Sequence, residues 1–528
     1  MKKIYYNGDF ITLENQDTEA IMIENDTITK VGKKEEVFNL KDNETKLINL
    51  HENTMMPSFI DTHGHFFAVA NNLLNVSLSD CRSFKEIQDK LYNYKIQENI
   101  KDGEWIVANG YDHNNLLEGK HITKEILDDV IQNNPIIIQH TSGHSGILNT
   151  KALEKFNITI NTKSPEGGKI EKINNKLTGY LEENAFLEYQ KKVSMPSKEK
   201  LLKSLIKAQK KYASYGITTL QEGYMIDELV DIYKELVEEK QLFLDVVAFT
   251  DKKLDNKIKK EFPNNLREYC NNFKIGGFKI FLDGSPQGRT AWMRTPYIDD
   301  ENYYGYGTMK DNEVEDAIKK SLDENMQILA HCNGDKAAEQ YIEAIKNVNQ
   351  DIAKIRPVLI HGQFLGLDQL EDIRKLGIIP SYFIAHTYYW GDVHIRNFGL
   401  ARANSICPLK SSLDKNIIFT LHQDAPVIEP NMFETIWCAV NRITKDGKVL
   451  GSDEIIEVLD AIKAVTINAA YQYFEENKKG SIREGKKADL IIVDKNPLKI
   501  DKNEIRKIKV LETIKDGEKL WLISIIVI

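Results

Sequence analysis

Two histidines one residue apart, His63 and His65, follow an apolar run in the segment "PSFIDTHGHFF" (residues 57–67). In an extended strand, residues i and i+2 point to the same side, so both imidazoles would face one way and could share a cation. A pair of buried, hydrogen-bonded histidines explains an H-x-H motif equally well. The rest of the sequence is needed to decide between a metal site and a hydrogen-bonded pair of histidines in the core.

Polar residues recur in the same position at the ends of later apolar runs. "QILAHCNGD" places His331, "RPVLIHGQF" places His361 and "FTLHQDAP" places Asp424 directly after such runs. Four imidazoles and one carboxylate form a nitrogen and oxygen donor set that suits Zn²⁺ or a similar divalent ion. The repetition favours a metal site that binds one or two ions.

A lysine, Lys279, lies inside the otherwise apolar segment "GGFKIFLDG". A buried ammonium without a partner is costly, so this side chain needs either a counter-charge or a lowered pKa. As a neutral amine it could add carbon dioxide and become a carbamate, an N6-carboxylated lysine whose two oxygens can bridge two metals. The residues therefore leave two interpretations of Lys279 open, a structural lysine with a partner or a lowered pKa, and a carboxylated lysine at the same site.

The elements that carry these residues are predicted to be short buried strands, each followed by a helical pattern. This alternation predicts α/β units around a parallel sheet. Eight such strands would close a (β/α)8 TIM-type barrel, with its active site at the carboxyl ends of the strands. The eight predicted strands are "PSFIDTH", "PIIIQH", "GITTLQE", "GGFKIFLDG", "QILAHCNGD", "RPVLIHGQF", "GIIPSYFIAH" and "NIIFTLHQDAP".

Both ends of the chain show short strands separated by turn residues, which predicts a small β-sandwich domain built from residues 1–56 and 476–528. The barrel then occupies 57–475. Two connections are too long for a plain barrel, at about 75–133 and 150–212, and we expect these insertions to lie over the barrel mouth and shape its pocket.

The composition is that of a globular protein, with 41% hydrophobic and 28% charged residues and a formal net charge of −9. No basic stripe suits a nucleic acid, and no apolar window is long enough to span a bilayer. Five scattered cysteines without a C-x-x-C pair fit reduced thiols, so we expect a cytoplasmic protein. The apolar tail "LISIIVI" has no assigned role, and homo-oligomeric assembly stays open.

The order H-x-H, Lys, His, His, Asp resembles the amidohydrolase superfamily, and flanking segments narrow the resemblance to its YtcJ-like branch, amidohydrolase family 3, which includes N-substituted formamide deformylase. These segments include "MMPSFIDTHGHF", "FKIFLDGSPQGRTAWMRTPY" and "QDAPVIEPNMFETIWCAVNR", and the resemblance runs from about residue 1 to 520. It implies one metal on His63 and His65, a second on His331 and His361, Lys279 as the bridge, and Asp424 as a ligand of the first metal and the proton shuttle.

Four further residues lie in family-like or strand-end segments, and we expect them to contact substrate: Asp112 in "GYDHN", His144 in "SGHSG", Arg289 in "SPQGRTAW" and His386 in "FIAHTYYWGD". A structural role in loop hydrogen bonding explains the first three equally well. The aromatic residues beside His386 favour a pocket wall.

The resemblance implies a metal-dependent hydrolase that cleaves a non-peptide C–N bond, of the amide or formamide type, in a small molecule through a metal-activated hydroxide. The same site could act on a cyclic amide, an ester or a deamination substrate, because one activated water serves all of them. A non-enzymatic barrel protein is a third interpretation, which retention of all six ligand positions argues against.

Overall fold

The computed structural model describes residues 1–14, 17–140, 145–193 and 196–522. The chain divides into two compact units, one formed by Met1–Val69 with Leu205–Ile528 and the other by Ala70–Ser204. Within the described ranges, no helix combines the length and the apolar character needed to cross a bilayer.

The first unit is organised by an eight-stranded sheet in which each strand is parallel to its neighbours and sequential strands lie side by side. Most positions of these strands are buried, as expected for a parallel sheet covered by helices. In chain order the strands are Phe59–Ile60, Ile217–Met225, Asp245–Thr250, Phe273–Phe281, Gln327–Cys332, Val358–His361, Ile379–Tyr382 and Thr420–Leu421.

Seven of the eight predicted strands are confirmed in this sheet, and one is wrong. The segment "PIIIQH" does form a strand, Ile136–His140, but it belongs to a different sheet in the second unit. The missing strand is Asp245–Thr250, "DVVAFT", which was not predicted. A short, fully buried apolar run has the same pattern whichever sheet it joins, so pattern alone could not assign either segment.

Helices alternate with these strands from Ile217 onward. Asp335–Val348 shows why they form, since its inward side buries Ala338, Tyr341, Ile342 and Ile345. The helices of this unit that follow the second strand are Val230–Glu238, Asp255–Glu261, Asp311–Asp323, Asp335–Val348, Leu370–Leu376, His386–Ala403, Leu409–Asp414, Met432–Asn441, Val458–Ala464 and Ile467–Gln472.

The parallel sheet is curled. One apolar cluster contains Ile60 from the first strand, Phe249 from the third and Ile379 from the seventh, together with Ala469 and Tyr473 from the end of the chain's helical region. Thr62, which follows the first strand, donates a hydrogen bond from its Oγ1 to the carbonyl of Leu421 in the eighth strand (3.3 Å), a contact that a flat sheet with strands about 4.8 Å apart would not allow. The architecture is therefore an α/β fold of the TIM type.

The chain ends build two smaller sheets in the same unit. The four-stranded sheet is made by the amino end alone, and the five-stranded sheet by both ends. A shared apolar cluster that includes Tyr5, Ile21, Met55, Leu490 and Ile514 draws on both. The four-stranded sheet contains Lys2–Tyr6, Ala20–Glu24, Thr27–Gly32 and Lys46–Asn49, and the five-stranded sheet contains Asp9–Phe10, Thr54–Pro57, Leu490–Val493, Val510–Lys515 and Glu518–Leu522.

The second unit is built on a six-stranded mixed sheet with its own core, which includes Ile87, Ile106, Ile138 and Ile147. Its strands are Val76–Ser77, Ile106–Tyr111, Ile136–His140, Ser145–Leu148, Gly168–Ile173 and Lys176–Glu183. Its helices include Phe84–Gln97, Lys124–Asp128, Thr150–Lys155 and Asn184–Gln190.

Candidate metal centre

The H-x-H pair lies just beyond the first strand of the eight-stranded sheet, which is shorter than predicted and ends at Ile60. Backbone hydrogen bonds, not strand alternation, therefore position His63 and His65. The amide of Asp424 donates to the carbonyl of His63 (3.1 Å), and the amide of His65 donates to the carbonyl of Ala425 (2.7 Å). These bonds hold the segment after the first strand against the segment after the last.

Asp424 lies among three of the predicted ligands. Its Oδ1 is 3.3 Å from Nε2 of His65 and 3.6 Å from Nε2 of His63, and its Oδ2 is 4.0 Å from Nε2 of His361. Donor atoms of His63, His361 and Asp424 all lie within 4.8 Å of one another. One divalent ion can be held by such a nitrogen and oxygen set.

His331 and His361 come from neighbouring strands, and Nδ1 of His331 is 3.1 Å from Nε2 of His361. The fifth and sixth strands therefore add His331 to the donor set, beside His361. His361 and Asp424 both adopt positive φ, 76° and 55°. Such backbone costs of order 1–3 kcal/mol per residue in non-glycine positions and is concentrated at functional sites.

Lys279 lies in the fourth strand, buried to 2% exposure. Its Nζ has no hydrogen-bond partner among the described residues. Burial lowers the pKa of this ammonium to about 7, although the charge of Asp424 opposes the shift. At neutral pH a large fraction of Lys279 is consequently a free amine, the form that reacts with electrophiles.

A buried glutamine, Gln221, fixes the orientation of His63. Nε2 of Gln221 donates to the carbonyl of Thr62 (2.7 Å) and to the hydroxyl of Tyr473 (2.9 Å), which leaves its Oε1 as an acceptor. That oxygen is 2.7 Å from Nδ1 of His63. The proton of His63 is thus held on Nδ1, and Nε2 is left with a lone pair toward Asp424.

Further buried partners surround the other imidazoles. Nε2 of His422 is 3.2 Å from Nδ1 of His361, and Nδ1 of His422 is 2.9 Å from the hydroxyl of Ser381. Asp283, which follows the fourth strand, lies 3.5 Å from Nε2 of His331, and burial raises its pKa to about 7. Gln221 and Asp283 were not predicted. Asp283 follows a strand, which is the signal that identified His331, whereas Gln221 lies in the middle of its strand and gave no such signal.

The predicted substrate contacts are placed as follows. Asp112 lies in the second unit. Arg289 is turned onto its own loop, donating to the carbonyl of Ile298 (3.2 Å), and its guanidinium lies 5.2 Å from the centre of the Tyr297 ring. His386 is buried at the start of a helix, with Nδ1 3.2 Å from Nε2 of His394. His144 lies outside the described residues. Contact with substrate stays a prediction for all four.

Comparison with known proteins gives one family. The family model described as "Amidohydrolase family" matches residues 46–520. The provisionally named amidohydrolase YtcJ of Bacillus subtilis (strain 168) is 26% identical, over 99% of this chain and 99% of its own. N-substituted formamide deformylase of Arthrobacter pascens is 24% identical, over 96% of this chain and 95% of its own.

Among solved structures, an uncharacterised metal-dependent hydrolase from Pyrococcus furiosus has the same fold. It superposes with a TM-score of 0.79 at 23% identity, and the match covers 94% of this chain and 100% of that one. The family model spans the eight-stranded sheet and every predicted ligand in it. The chain belongs to the amidohydrolase family.

Proposed function

We propose that this protein hydrolyses a non-peptide C–N bond, of the amide or formamide type, in a small molecule. The observation that carries the proposal is the donor cluster of His63, His361 and Asp424 beside a buried, unpaired Lys279 amine. The similarity to a relative named N-substituted formamide deformylase, which extends over 95% of that relative, supports the substrate class.

The donor set fits the metal that the family implies. His63, His65, His331 and His361 supply neutral nitrogen donors, and Asp424 supplies an anionic oxygen. The Lys279 Nζ would otherwise be an orphaned buried group, which protein interiors rarely tolerate. We infer one or two divalent ions, with Zn²⁺ favoured by the imidazole-rich set, held by these six residues.

A carbamate on Lys279 accounts for the unpaired amine. The nitrogen lone pair of the neutral amine adds to the carbon of CO₂. An N–C bond forms, one C–O π bond breaks with its electron pair moving to that oxygen, and one proton passes from the nitrogen to water. The product carries one negative charge on two oxygens, which can each bind a cation. The buried environment favours this because it already holds the pKa of Lys279 near neutrality.

Divalent cations supply two effects when bound: they lower the pKa of a water molecule toward neutrality and polarise a carbonyl group. We propose Asp424 as the residue that moves protons, which its position among the imidazoles supports. Burial alone would raise its pKa, but the imidazoles of His63 and His65 outweigh burial and hold the pKa below its usual range. Ionised Asp424 would accept the proton of the attacking water and return it to the departing nitrogen.

Gln221 supports this chemistry without touching substrate. By holding the proton of His63 on Nδ1, it leaves Nε2 in the lone-pair form that a cation requires.

We also propose that the curled sheet closes as a (β/α)8 barrel. The hydrogen bonds between residues 63–65 and 424–425 support closure, as does the bond from Thr62 Oγ1 to the carbonyl of Leu421 (3.3 Å).

At the chain termini we propose a small β-sandwich, made by residues 1–56 with 476–528. The apolar cluster shared by the four-stranded and five-stranded sheets supports it. The remaining barrel domain would then run from 57 to 475.

The proposal is tested by a hydrolysis screen on protein purified without chelator. N-formyl, N-acetyl and cyclic amides are supplied as substrates, amine release is measured, and metal is quantified by elemental analysis. We expect one to two equivalents of divalent metal and turnover of at least one N-substituted amide. A folded, metal-free and inactive preparation would contradict the proposal and favour a non-enzymatic protein. Turnover of esters alone would contradict the C–N assignment.

A further inference from the structure

A second cluster of metal-ligand side chains lies in the six-stranded unit. Asp112, His113 and His140 each offer one donor atom, and these atoms lie within 4.8 Å of one another. Strand pairing explains why they meet. Ile106–Tyr111 runs parallel to Ile136–His140, with His140 opposite Tyr111, so the residues just after Tyr111 come beside the last residue of the neighbouring strand.

The distances within this triad are close to those of a coordination shell, and only the His113–His140 pair is also within good hydrogen-bond distance. Nδ1 of His113 is 3.2 Å from Nε2 of His140, and Oδ1 of Asp112 is 3.5 Å from His140 and 3.8 Å from His113. Donors at about 2.0–2.2 Å from a tetrahedral ion lie about 3.3–3.6 Å apart. The contacts to Asp112 are too long for good hydrogen bonds, whose N···O distances are about 2.7–3.2 Å.

Neighbouring side chains hold the triad in this arrangement. The ring of His121 lies against that of His113, with 3.9 Å between centroids, and the Tyr111 hydroxyl is 2.9 Å from Nδ1 of His121. Oδ1 of Asp112 accepts from the backbone amide and the side-chain amide of Asn114, both at 2.9 Å. An ion bound to Oδ1 has to replace one of these bonds, so we expect a weaker site than the centre formed by His63, His361 and Asp424.

We propose that Asp112, His113 and His140 form a second site for a divalent transition metal such as Zn²⁺, in addition to the centre proposed at His63, His361 and Asp424. Two imidazoles and one carboxylate match the ligand preferences of Zn²⁺ and Co²⁺. Three protein donors leave a fourth tetrahedral position for water or for a polar group of a ligand. Partial exposure of Asp112 and His113, at 25% and 27% of their side chains, gives an ion access from solvent.

The test uses full-length protein stripped with chelator and dialysed against Zn²⁺ alone. Bound metal is counted by elemental analysis for the wild type, His113→Gln, His140→Gln and a control, His51→Asn. His51 is exposed and adopts a φ of 51°, which asparagine tolerates, so the control removes a histidine without strain. We expect each triad variant to bind about one equivalent less than the wild type, and His51→Asn to bind the same amount.

Unchanged stoichiometry in both triad variants would overturn the second site. Zinc-edge anomalous difference maps of wild-type crystals decide the matter if a variant does not fold. A peak between His113 Nδ1 and His140 Nε2 supports the site, whereas a peak at His63 and His361 with none at the triad overturns it. The reverse pattern, a triad peak without one at His63 and His361, would contradict the proposed function and leave the second site intact.

Discussion

Two buried lysines on one strand, Lys274 and Lys279, have opposite surroundings. Lys274, near the amino end of Phe273–Phe281, forms an ion pair with Glu475 and donates to the carbonyl of Tyr473 (3.1 Å). Lys279, near the carboxyl end, has no hydrogen-bond partner in the described parts of the chain. The strand is the same and burial is similar, at 4% and 2% exposure, so only the partners differ.

The same contrast extends over both ends of the sheet. At the amino ends, Lys479 lies 2.6 Å from Asp245 and 2.8 Å from Glu475, and Lys515 lies 3.0 Å from Asp245. Each of these buried charges has an opposite charge beside it. Buried charge that is fully paired needs no further ligand, whereas an unpaired buried amine among imidazoles indicates a site that a cation completes. The amino ends thus hold paired buried charges, and the carboxyl ends hold the proposed metal centre.

The largest effect that follows from this contrast concerns turnover. Asp424→Asn removes the proton acceptor but keeps the shape of the side chain, so we expect turnover to fall about 10³-fold, equivalent to about 4 kcal/mol in the barrier. Steady-state amine release on a substrate from the screen measures the loss, and elemental analysis should show that most metal is retained. The matched control is Asp414→Asn, at an exposed surface position paired with Lys410. Near wild-type turnover in the Asp424→Asn variant would remove this carboxylate from the mechanism.

At the amino end of the strand we expect a loss of stability. Lys274→Met leaves the carboxylate of Glu475 buried with only Lys479 as counter-charge, which should lower the free energy of unfolding by about 3 kcal/mol. Urea denaturation followed by circular dichroism measures the change, and metal content of the folded protein should not alter. A Lys274→Met protein as stable as the wild type would show that this ion pair contributes nothing to the fold.

The matched change at the carboxyl end should have the opposite sign. In metal-free protein, Lys279→Met removes an amine without a partner, so we expect the free energy of unfolding to rise by about 2 kcal/mol, within the range found for unsatisfied buried polar groups. With metal present, the same variant should bind at least one equivalent less, because the carbamate that we propose as a ligand could not form. If Lys279→Met destabilised the metal-free protein as much as Lys274→Met does, the two lysines would be equivalent and the contrast would fail.

The sequence predicted much of the cluster at the carboxyl ends of the strands. The rule behind that prediction also explains what was missed. His331, His361 and Asp424 were identified because polar residues after buried runs meet where the carboxyl ends of parallel strands converge. That rule needs no knowledge of which strand neighbours which. The placement of "PIIIQH" in the barrel did require knowledge of which strands are neighbours, and it was wrong. Because His140 was assigned to the barrel, its proximity to His113 in the six-stranded sheet could not be anticipated.

Pairing between distant residues was equally out of reach of pattern. Gln221 acts on His63 across a sequence separation of 158 residues, and its role depends on the Tyr473 hydroxyl that fixes its amide. Lys279, whose Nζ has no hydrogen-bond partner among the described residues, is a second example. Burial was predicted from the apolar run around it, but the difference from Lys274 depends on Glu475, which lies 201 residues after Lys274 in the chain.

The last effect is the pH dependence that Lys279 gives to the free energy of unfolding. The pKa of Lys279 is about 7 in the folded protein, whereas an unfolded chain keeps the ordinary value of about 10.4. Between these values the unfolded state binds a proton that the folded state does not, so stability increases with pH there, by up to about 1.4 kcal/mol per pH unit. Below pH 7 both states are protonated, and Lys279 contributes no slope.

This slope is isolated by subtracting the unfolding free energy of metal-free Lys279→Met from that of metal-free wild type at each pH from 6 to 9. We expect a flat difference up to about pH 7 and a rise above it, because every other titrating group is common to both proteins. A difference that stays flat to pH 9 would mean that folded Lys279 keeps an ordinary pKa. The amine would then be an ammonium at neutral pH, unable to add carbon dioxide, and the proposed carbamate would be excluded.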